Sequence, residues 1–447
     1  MIVYITIAVG LLLAWYSFRG VFQPGFGLAL MWSLYPAEQL LQQGHPIFIK
    51  LSAAANILFT GVCVLAVLNS MRLGKYRGWR LPPEGWFCLG LFSFTCMTWL
   101  WSISQDITYV HMSSAAPYIL AFTLVAPLCA TDEKQLRLAI NTTIFMGTII
   151  LLGHAFSGYG SRGVELIVVA GKTIEGNPLA VASYCGYVGI CSLFSVYGRK
   201  FSPLIACKVA IFFMSAYVII RSGSRGQLIA LIAVSFIWLP IIARATLKRS
   251  TVIAVLGSAV IIGIAIYTYN NFLQGTGRWQ QSFVERSTTG RFDVALRLLE
   301  YWFDQGPLTW LAGTGSSSSY KIVGFYPHNV PAEVLGEEGL IGFGLFAGFV
   351  CSVLFRSGKV MFSENLKTES RVNLGILVAI FCFEGILFLK QSSLLGSVGF
   401  FNIGMTIAWL GDRLQVQARK TKRSEYMARR PFLTSPVEQL TGSGHKF

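Results

Sequence analysis

The chain has 447 residues, of which 54% are hydrophobic and 13% charged, with a formal net charge of +16. A soluble domain carries about 25% charged residues, so an assembly of soluble domains is excluded. The Lys and Arg residues sit in short segments between apolar runs and near the C-terminus, which is the pattern of a topology signal and not of a nucleic-acid surface.

Apolar runs of about 18 residues or more recur along the chain, each long enough to cross a bilayer. They are continuous and do not alternate with period two. The expected class is therefore all-α, a polytopic integral membrane bundle of 12–13 transmembrane helices, and not a barrel. Spans are read at 2–18, 23–36, 47–70, 84–103, 113–130, 137–157, 178–197, 203–220, 227–246, 251–270, 338–355, 373–390 and 392–411, within a transmembrane domain 1–411. The first lacks a basic leader and a small-residue cleavage site, so it reads as retained. The second begins at Pro24 and is short enough to be a half-helix, which leaves the count at 12 or 13. The nine cysteines fall in or beside apolar runs with no CxxC pair and read as small core residues. No His/Cys cluster has metal-site spacing, so no metal and no cofactor is expected.

Alternating spans put most of the basic loops on one side: Arg72 to Arg80, Lys134 and Arg137, Arg199 and Lys200, Arg244 to Arg249, Arg356 to Arg371, and a basic stretch 412–447 read as a largely disordered tail. That side is expected to be the cytoplasm. Arg221, Arg225, Lys390 and the segment 271–337 then face outward. This segment is too long for a plain connector. Within it, 288–306 carries Phe292, Ala295, Leu296, Leu299, Trp302 and Phe303 at helical spacing, predicting an amphipathic helix started by Thr288 or Thr289 and ended by Gly306. "GTGSSSS" (313–319) reads as a flexible loop.

Several outward segments bring polar groups to helix starts. Ser224 is placed to cap the span that opens at Arg225. Asn329 caps a helix with Pro331 in its first turn, and "EGNPLA" (175–180) opens another span in the same way. Helix N-termini attract anions, and Arg adds planar bidentate recognition of phosphate. Arginine inside hydrocarbon costs about 2.5–3.5 kcal/mol on insertion scales, so Arg221 and Arg225 point to an anionic group at the outer face. Ordinary roles stand beside these readings. Arg221 and Arg225 also fit snorkelling or a carboxylate partner, Arg291 fits pairing with Asp293 or Glu300, and His328 fits a structural hydrogen bond as well as a general base. Glu384, inside an apolar run, fits either function or a hydrogen bond to a neighbouring helix.

Taken together, "SGSRGQLIALIAV", "TGRFDVALRLLEYW", "GTG" and "YPHNVPAEVLGEEGLIGFGLF" resemble the ordered motifs of the O-antigen ligase/polymerase superfamily over about residues 175–350. The resemblance implies a GT-C-type membrane glycosyltransferase, inverting and metal-independent, in the bacterial inner membrane. Its active site would face the periplasm and its C-terminus the cytoplasm, with 271–337 as a periplasmic catalytic loop. The donor would be an undecaprenyl-pyrophosphate-linked glycan. By the same resemblance Arg225 and Arg291 would hold the pyrophosphate, and His328 would orient or deprotonate the acceptor hydroxyl. Arg221, Ser224, Tyr326, Asn329 and the acidic position Glu337 would contact substrate. The acceptor would be another lipid-linked repeat, as in a polymerase, or lipid A-core, as in a ligase, with membrane lipids and a chain-length regulator as further partners. A transporter of lipid-linked sugars is the reading from another class. It would place its cations near the midplane and show repeat symmetry, neither of which the sequence displays.

Overall fold

The computed structural model describes residues 2–76, 80–157, 164–169, 172–196, 202–246, 281–363 and 366–429. Eight helices among these residues are long and apolar enough to cross a membrane, and the chain is a multi-pass, all-α membrane protein. The bundle comprises α1 (Ile2–Phe22), α2 (Pro24–Gly44), α3 (Ser52–Arg72), α4 (Pro83–Thr98), α5 (Gln105–Ile119), α6 (Glu133–Ala155), α7 (Pro178–Phe194), α8 (Pro203–Arg221) and α9 (Arg225–Thr246). It continues with α10 (Gln281–Asp304), α11 (Pro307–Ala312), α12 (Val330–Met361), α13 (Thr368–Phe388) and α14 (Val398–Arg429). The expected span 251–270 lies outside the described residues.

Proline opens many of these helices. Its ring presets the helical φ, and its missing N–H removes a donor that the first turn leaves unpaired anyway; α2, α4, α7, α8 and α12 begin this way. Asp132 starts α6 by accepting from the Gln135 N–H at 2.9 Å.

Four elements differ from the sequence reading. The second span is no half-helix: α2 runs 21 residues and is buried along most of its length, because α1, α3 and α6 pack around it. The amphipathic helix, Gln281–Asp304, already includes Thr288 and Thr289 in its interior instead of at its start. A two-stranded antiparallel hairpin, β1 (Val164–Val169) with β2 (Lys172–Gly176), precedes α7 and leans on α2; the β-branched run "VELIVV" is its available signal. The C-terminal stretch stays helical to Arg429. No Gly or Pro interrupts residues 412–429, and helix-favouring side chains dominate there.

The core is apolar and aromatic. Phe349, Phe381, Phe400 and Phe401 interlock at ring distances of 4.3–6.4 Å. Asn402 joins three elements at this level. It accepts from Trp32 Nε1 at 2.8 Å and donates to the Phe122 carbonyl at 2.6 Å. Five cysteines are buried as expected, but Cys96, Cys207 and Cys351 are exposed on the bundle surface. Glu384 is hydrogen-bonded to Tyr187 of α7, which favours its structural reading.

The two ends of the bundle differ electrostatically. The end that holds Arg72, Arg137 and Arg356 also holds the three ion pairs found among the described residues. Arg356 bridges Glu84 at 2.7 Å and Asp412 at 3.4 Å, and Arg137 meets Glu369 at 2.5 Å. Glu84 is 2% exposed, so removing its partner leaves a buried charge uncompensated. Arg356→Ala should therefore destabilise the protein by about 3 kcal/mol, read as a lower thermal midpoint in detergent. Adding Glu84→Gln should restore most of the loss, and no restoration would show that Arg356 acts by packing alone.

Candidate functional site

The opposite end gathers the polar groups singled out in the sequence, and it is organised around a turn. After α13 the chain passes through Leu389, Lys390 and Gln391 before α14 begins. Three segments converge on this turn. Arg291 of α10 donates through Nη1 to the Lys390 carbonyl at 3.2 Å. Asn329 donates through Nδ2 to the Leu389 carbonyl at 3.3 Å while its Oδ1 accepts from Ala332 N–H at 3.0 Å, capping α12. Gly226, the second residue of α9, lets the Lys390 side chain cross the helix start: a Cβ there would sit 3.0 Å from Lys390 Cδ and 3.1 Å from its Nζ.

Lys390 is thus held beside the N-terminus of α9 and next to Arg225 and Arg291. Burial, then the charge of Arg291, then that of Arg225, pull its ammonium down to about 8. Burial likewise pulls Arg291 down, with Tyr326 opposing. Arg291 forms no ion pair with Asp293 or Glu300 among the described residues. Three cations of one sign are therefore held together, half-buried, at a helix start that itself carries partial positive charge. Lys390 was legible only as one more outward charge; its neighbours lie about 100 and about 165 positions away, so no local pattern could assign it.

His328 lies alongside. Its ring packs on Tyr326 at 4.2 Å and on Phe325 at 5.7 Å. Burial first, and the Arg291 charge second, push the imidazole down to about 4, against a hydrogen bond to the Gln391 backbone. The ring is neutral at neutral pH. Nδ1 is buried and makes no hydrogen bond among the described residues, so the bond to Gln391 uses the other nitrogen. The backbone here is left-handed, with φ 57°. Only Ser317, with φ 59°, shares a positive φ among the non-glycine residues described. Such strain persists only where surrounding contacts impose it, and it concentrates at functional sites.

The remaining candidates divide. Tyr326 sits between His328 and the ring of Tyr320, and Arg291 draws down the phenol value that burial raises. Arg221 donates from Nη1 to the Ala155 carbonyl at the end of α6. It answers the negative end of that helix, a structural role. Ser224 does not cap α9 with its hydroxyl, which donates to the Pro178 carbonyl at 3.5 Å and ties α9 to α7. Asn329 is a helix cap, as above. Glu337 is a latch: its Oε2 accepts from Ser317 N–H at 2.6 Å and its Oε1 from Ser319 N–H at 3.0 Å.

That latch overturns the reading of 313–319 as a flexible loop. Thr314 and Ser316 to Ser319 are all buried. Thr314 and Gly315 donate to the Gly336 and Glu337 carbonyls at 3.0 and 2.9 Å. Ser102 and Thr108 donate to the Ser316 carbonyl at 2.7 and 2.5 Å, and Ser316 N–H reaches Thr98 Oγ1 at 3.0 Å. A Ser/Gly-rich stretch reads as a loop because its own side chains drive no burial. Here the partners come from α4, α5 and α12.

Among the described residues no group of three His, Cys, Asp or Glu side chains is placed to hold a metal ion. In comparison with known proteins, no family model matches the chain and no curated protein matches it.

The strain at residue 328 is measurable. An Ala there keeps the left-handed backbone under a Cβ, whereas Gly relaxes it. His328→Gly should melt higher than His328→Ala, by about 1 kcal/mol. Equal midpoints would mean that the backbone relaxes without effort and stores nothing.

Proposed function

We propose that the protein is a polysaccharide polymerase of the O-antigen ligase/polymerase type. It transfers a glycan from an undecaprenyl-pyrophosphate carrier to a hydroxyl of another lipid-linked repeat at the periplasmic face of the bacterial inner membrane. The observation that supports this most is the gathering of Arg225, Arg291 and Lys390 beside a neutral imidazole whose buried Nδ1 makes no hydrogen bond among the described residues. Like charges repel, so such a cluster is favourable when a polyanion sits among them, and pyrophosphate matches the forks of two arginines. The cluster lies at helix ends, which fits chemistry at a membrane surface better than transport through a midplane site.

In this reading the acceptor hydroxyl attacks the anomeric carbon from the face opposite the carrier. The bond from that carbon to the pyrophosphate oxygen breaks, and its electron pair leaves on the pyrophosphate. The added negative charge develops against the three cations, which are already oriented and do not reorganise. Nδ1 of His328 accepts the hydrogen bond of the attacking hydroxyl and takes its proton as the new bond forms. A base whose conjugate acid sits near 4 is weak, so its main contribution is aim: it holds the hydroxyl oxygen toward the carbon. The proton then passes to solvent or to the departing pyrophosphate.

Two experiments test this. Arg291→Lys keeps charge but loses the planar fork, so it should lose turnover nearly as fully as Arg291→Ala, by a hundredfold or more, equivalent to about 3–4 kcal/mol. His328→Ala should lose turnover while keeping donor affinity. Purified variants with lipid-linked glycan donor give both quantities; full activity in Arg291→Lys would leave the residue as a source of field only.

The pH dependence follows from the two values. Lys390 carries its charge below about 8 and loses it above, so inorganic pyrophosphate should bind more weakly as pH rises through about 8. Lys390→Arg should remove that step. His328, neutral above about 4, should produce no fall in turnover near its ordinary value of 6.5. A step at 8 that survives in Lys390→Arg would assign the titration to another group.

A further inference from the structure

A second polar space adjoins the cation cluster, and the transferase reading does not use it. Tyr326, whose ring packs on His328, also lines a cavity of about 330 Å³. Its size is at the lower end of the range for small-molecule sites, roughly 300–1,000 Å³. Neither Arg225, Arg291 nor His328 lines it; its walls come from α2, α5, α12 and the turns around them.

The lining has a definite chemistry. Tyr35, Tyr118, Tyr320 and Tyr326 supply aromatic surface, and His111 packs on Tyr320 at 4.8 Å. Three glutamates of α12 share the wall. Two of them are engaged. Glu333 accepts from Leu394 N–H at 3.2 and 3.1 Å, and Glu337 holds the serine turn. Glu338 is different. It is 1% exposed, and neither carboxylate oxygen makes a hydrogen bond of ordinary geometry among the described residues, although Thr95 lies beside it. A buried carboxyl group without hydrogen-bond donors is unfavourable, and a ligand that brings hydroxyl or amino donors would satisfy it. The three acids are not placed to hold a metal ion, and the aromatic walls do not suit one. Ser317, the second strained residue, lines the same space.

Aromatic faces for C–H surfaces, together with carboxylate acceptors for hydroxyl donors, are the requirements of a saccharide. We infer that this cavity is the subsite for one sugar residue of the acceptor, neutral or amino-bearing; a uronic acid is disfavoured because the lining holds no Lys or Arg to pair with its carboxylate. That it serves the acceptor rests on the transferase reading, through its adjacency to His328; that it binds sugar does not. Tyr326 belongs to both spaces, with its ring in the wall of this cavity and packed on His328.

The test uses the full chain in lipid nanodiscs, with glucose, glucosamine and glucuronate as probes in saturation-transfer NMR, and inorganic pyrophosphate as a separate ligand. Glucose and glucosamine should give transfer and glucuronate none. Glu338→Gln should weaken glucose or glucosamine by about tenfold, the effect of losing one buried carboxyl partner. Ala115→Phe, which fills the cavity from α5 without touching the acids, should abolish the signal. Pyrophosphate affinity should be unchanged in both variants, and thermal midpoints report folding. Equal transfer from glucuronate and glucose, or unchanged sugar binding in Ala115→Phe, would overturn the subsite. Sugar binding that follows these expectations while pyrophosphate fails to bind the wild type would instead remove the transferase reading and the acceptor assignment with it, leaving a sugar site.

Discussion

Gly313 and Gly339 touch backbone to backbone, and the rest of the site depends on that contact. A Cβ on Gly313 would lie 2.0 Å from the Glu337 carbonyl oxygen, and one on Gly339 would lie 2.5 Å from both Gly313 N and the Leu311 carbonyl oxygen. Both residues have positive φ, 77° and 66°, a region that L side chains enter only with strain. Gly339 breaks the helical path of α12 and leaves a short segment, Val330 to Glu338, set off from the membrane-crossing part. Into that break the 313–319 turn inserts, close enough for Glu337 to hold two of its N–H groups. The same short segment carries Asn329 at its start and Glu333 one turn on, and these reach Leu389 and Leu394. The position of Lys390, and through its carbonyl that of Arg291, therefore traces back to two missing side chains.

Charge is distributed by a second rule. Where the bundle end is rich in Lys and Arg, carboxylates accompany them, as in the Arg356 bridge between Glu84 and Asp412. At the other end the cavity is lined by three glutamates of α12 and by no arginine or lysine, while Arg291 and Lys390 meet each other. Tyr326 and His328 stand at the boundary. In the proposed transfer of a glycan from an anionic leaving group to a hydroxyl, such separation is useful, because a carboxylate placed among the arginines would compete with the phosphate for them.

Much of this was legible in the sequence, and what was not has a physical cause. Asn329, Asn177 and Pro178 could be assigned because a helix start has a local signature, an acceptor side chain followed by Pro. Arg291 and His328 stood out through the motifs that hold them, "TGRFDVALRLLEYW" and "YPHNVPAEVLGEEGLIGFGLF". Lys390 did not, since a basic residue ending a span is ordinary and its partners come from α9 and α10. Asn329, Ser224 and Glu337 were legible as polar, but their engagement with Leu389, Pro178 and the serine turn depends on tertiary contacts that local spacing does not encode. "GTGSSSS" was misread for the same reason: its burial is conferred by Ser102, Thr108 and Glu337. The amphipathic helix was recognised by its apolar stripe, while its extension back to Gln281 runs through a polar stretch that periodicity cannot bound.

The break at Gly339 also divides one helix between two sets of structural constraints. Below it, α12 answers to the bilayer and to its neighbours, and drift there is limited by packing against α4 and α14. Above it, the segment answers to whatever occupies the cavity. Tyr35, Tyr118 and Tyr320 belong to three different elements, and none of them bonds to Arg291, Lys390 or the Leu389–Gln391 turn. A substitution in one of these walls therefore leaves the contact of Arg291 with the Lys390 carbonyl in place. The two polar spaces are thus separable parts of one fold.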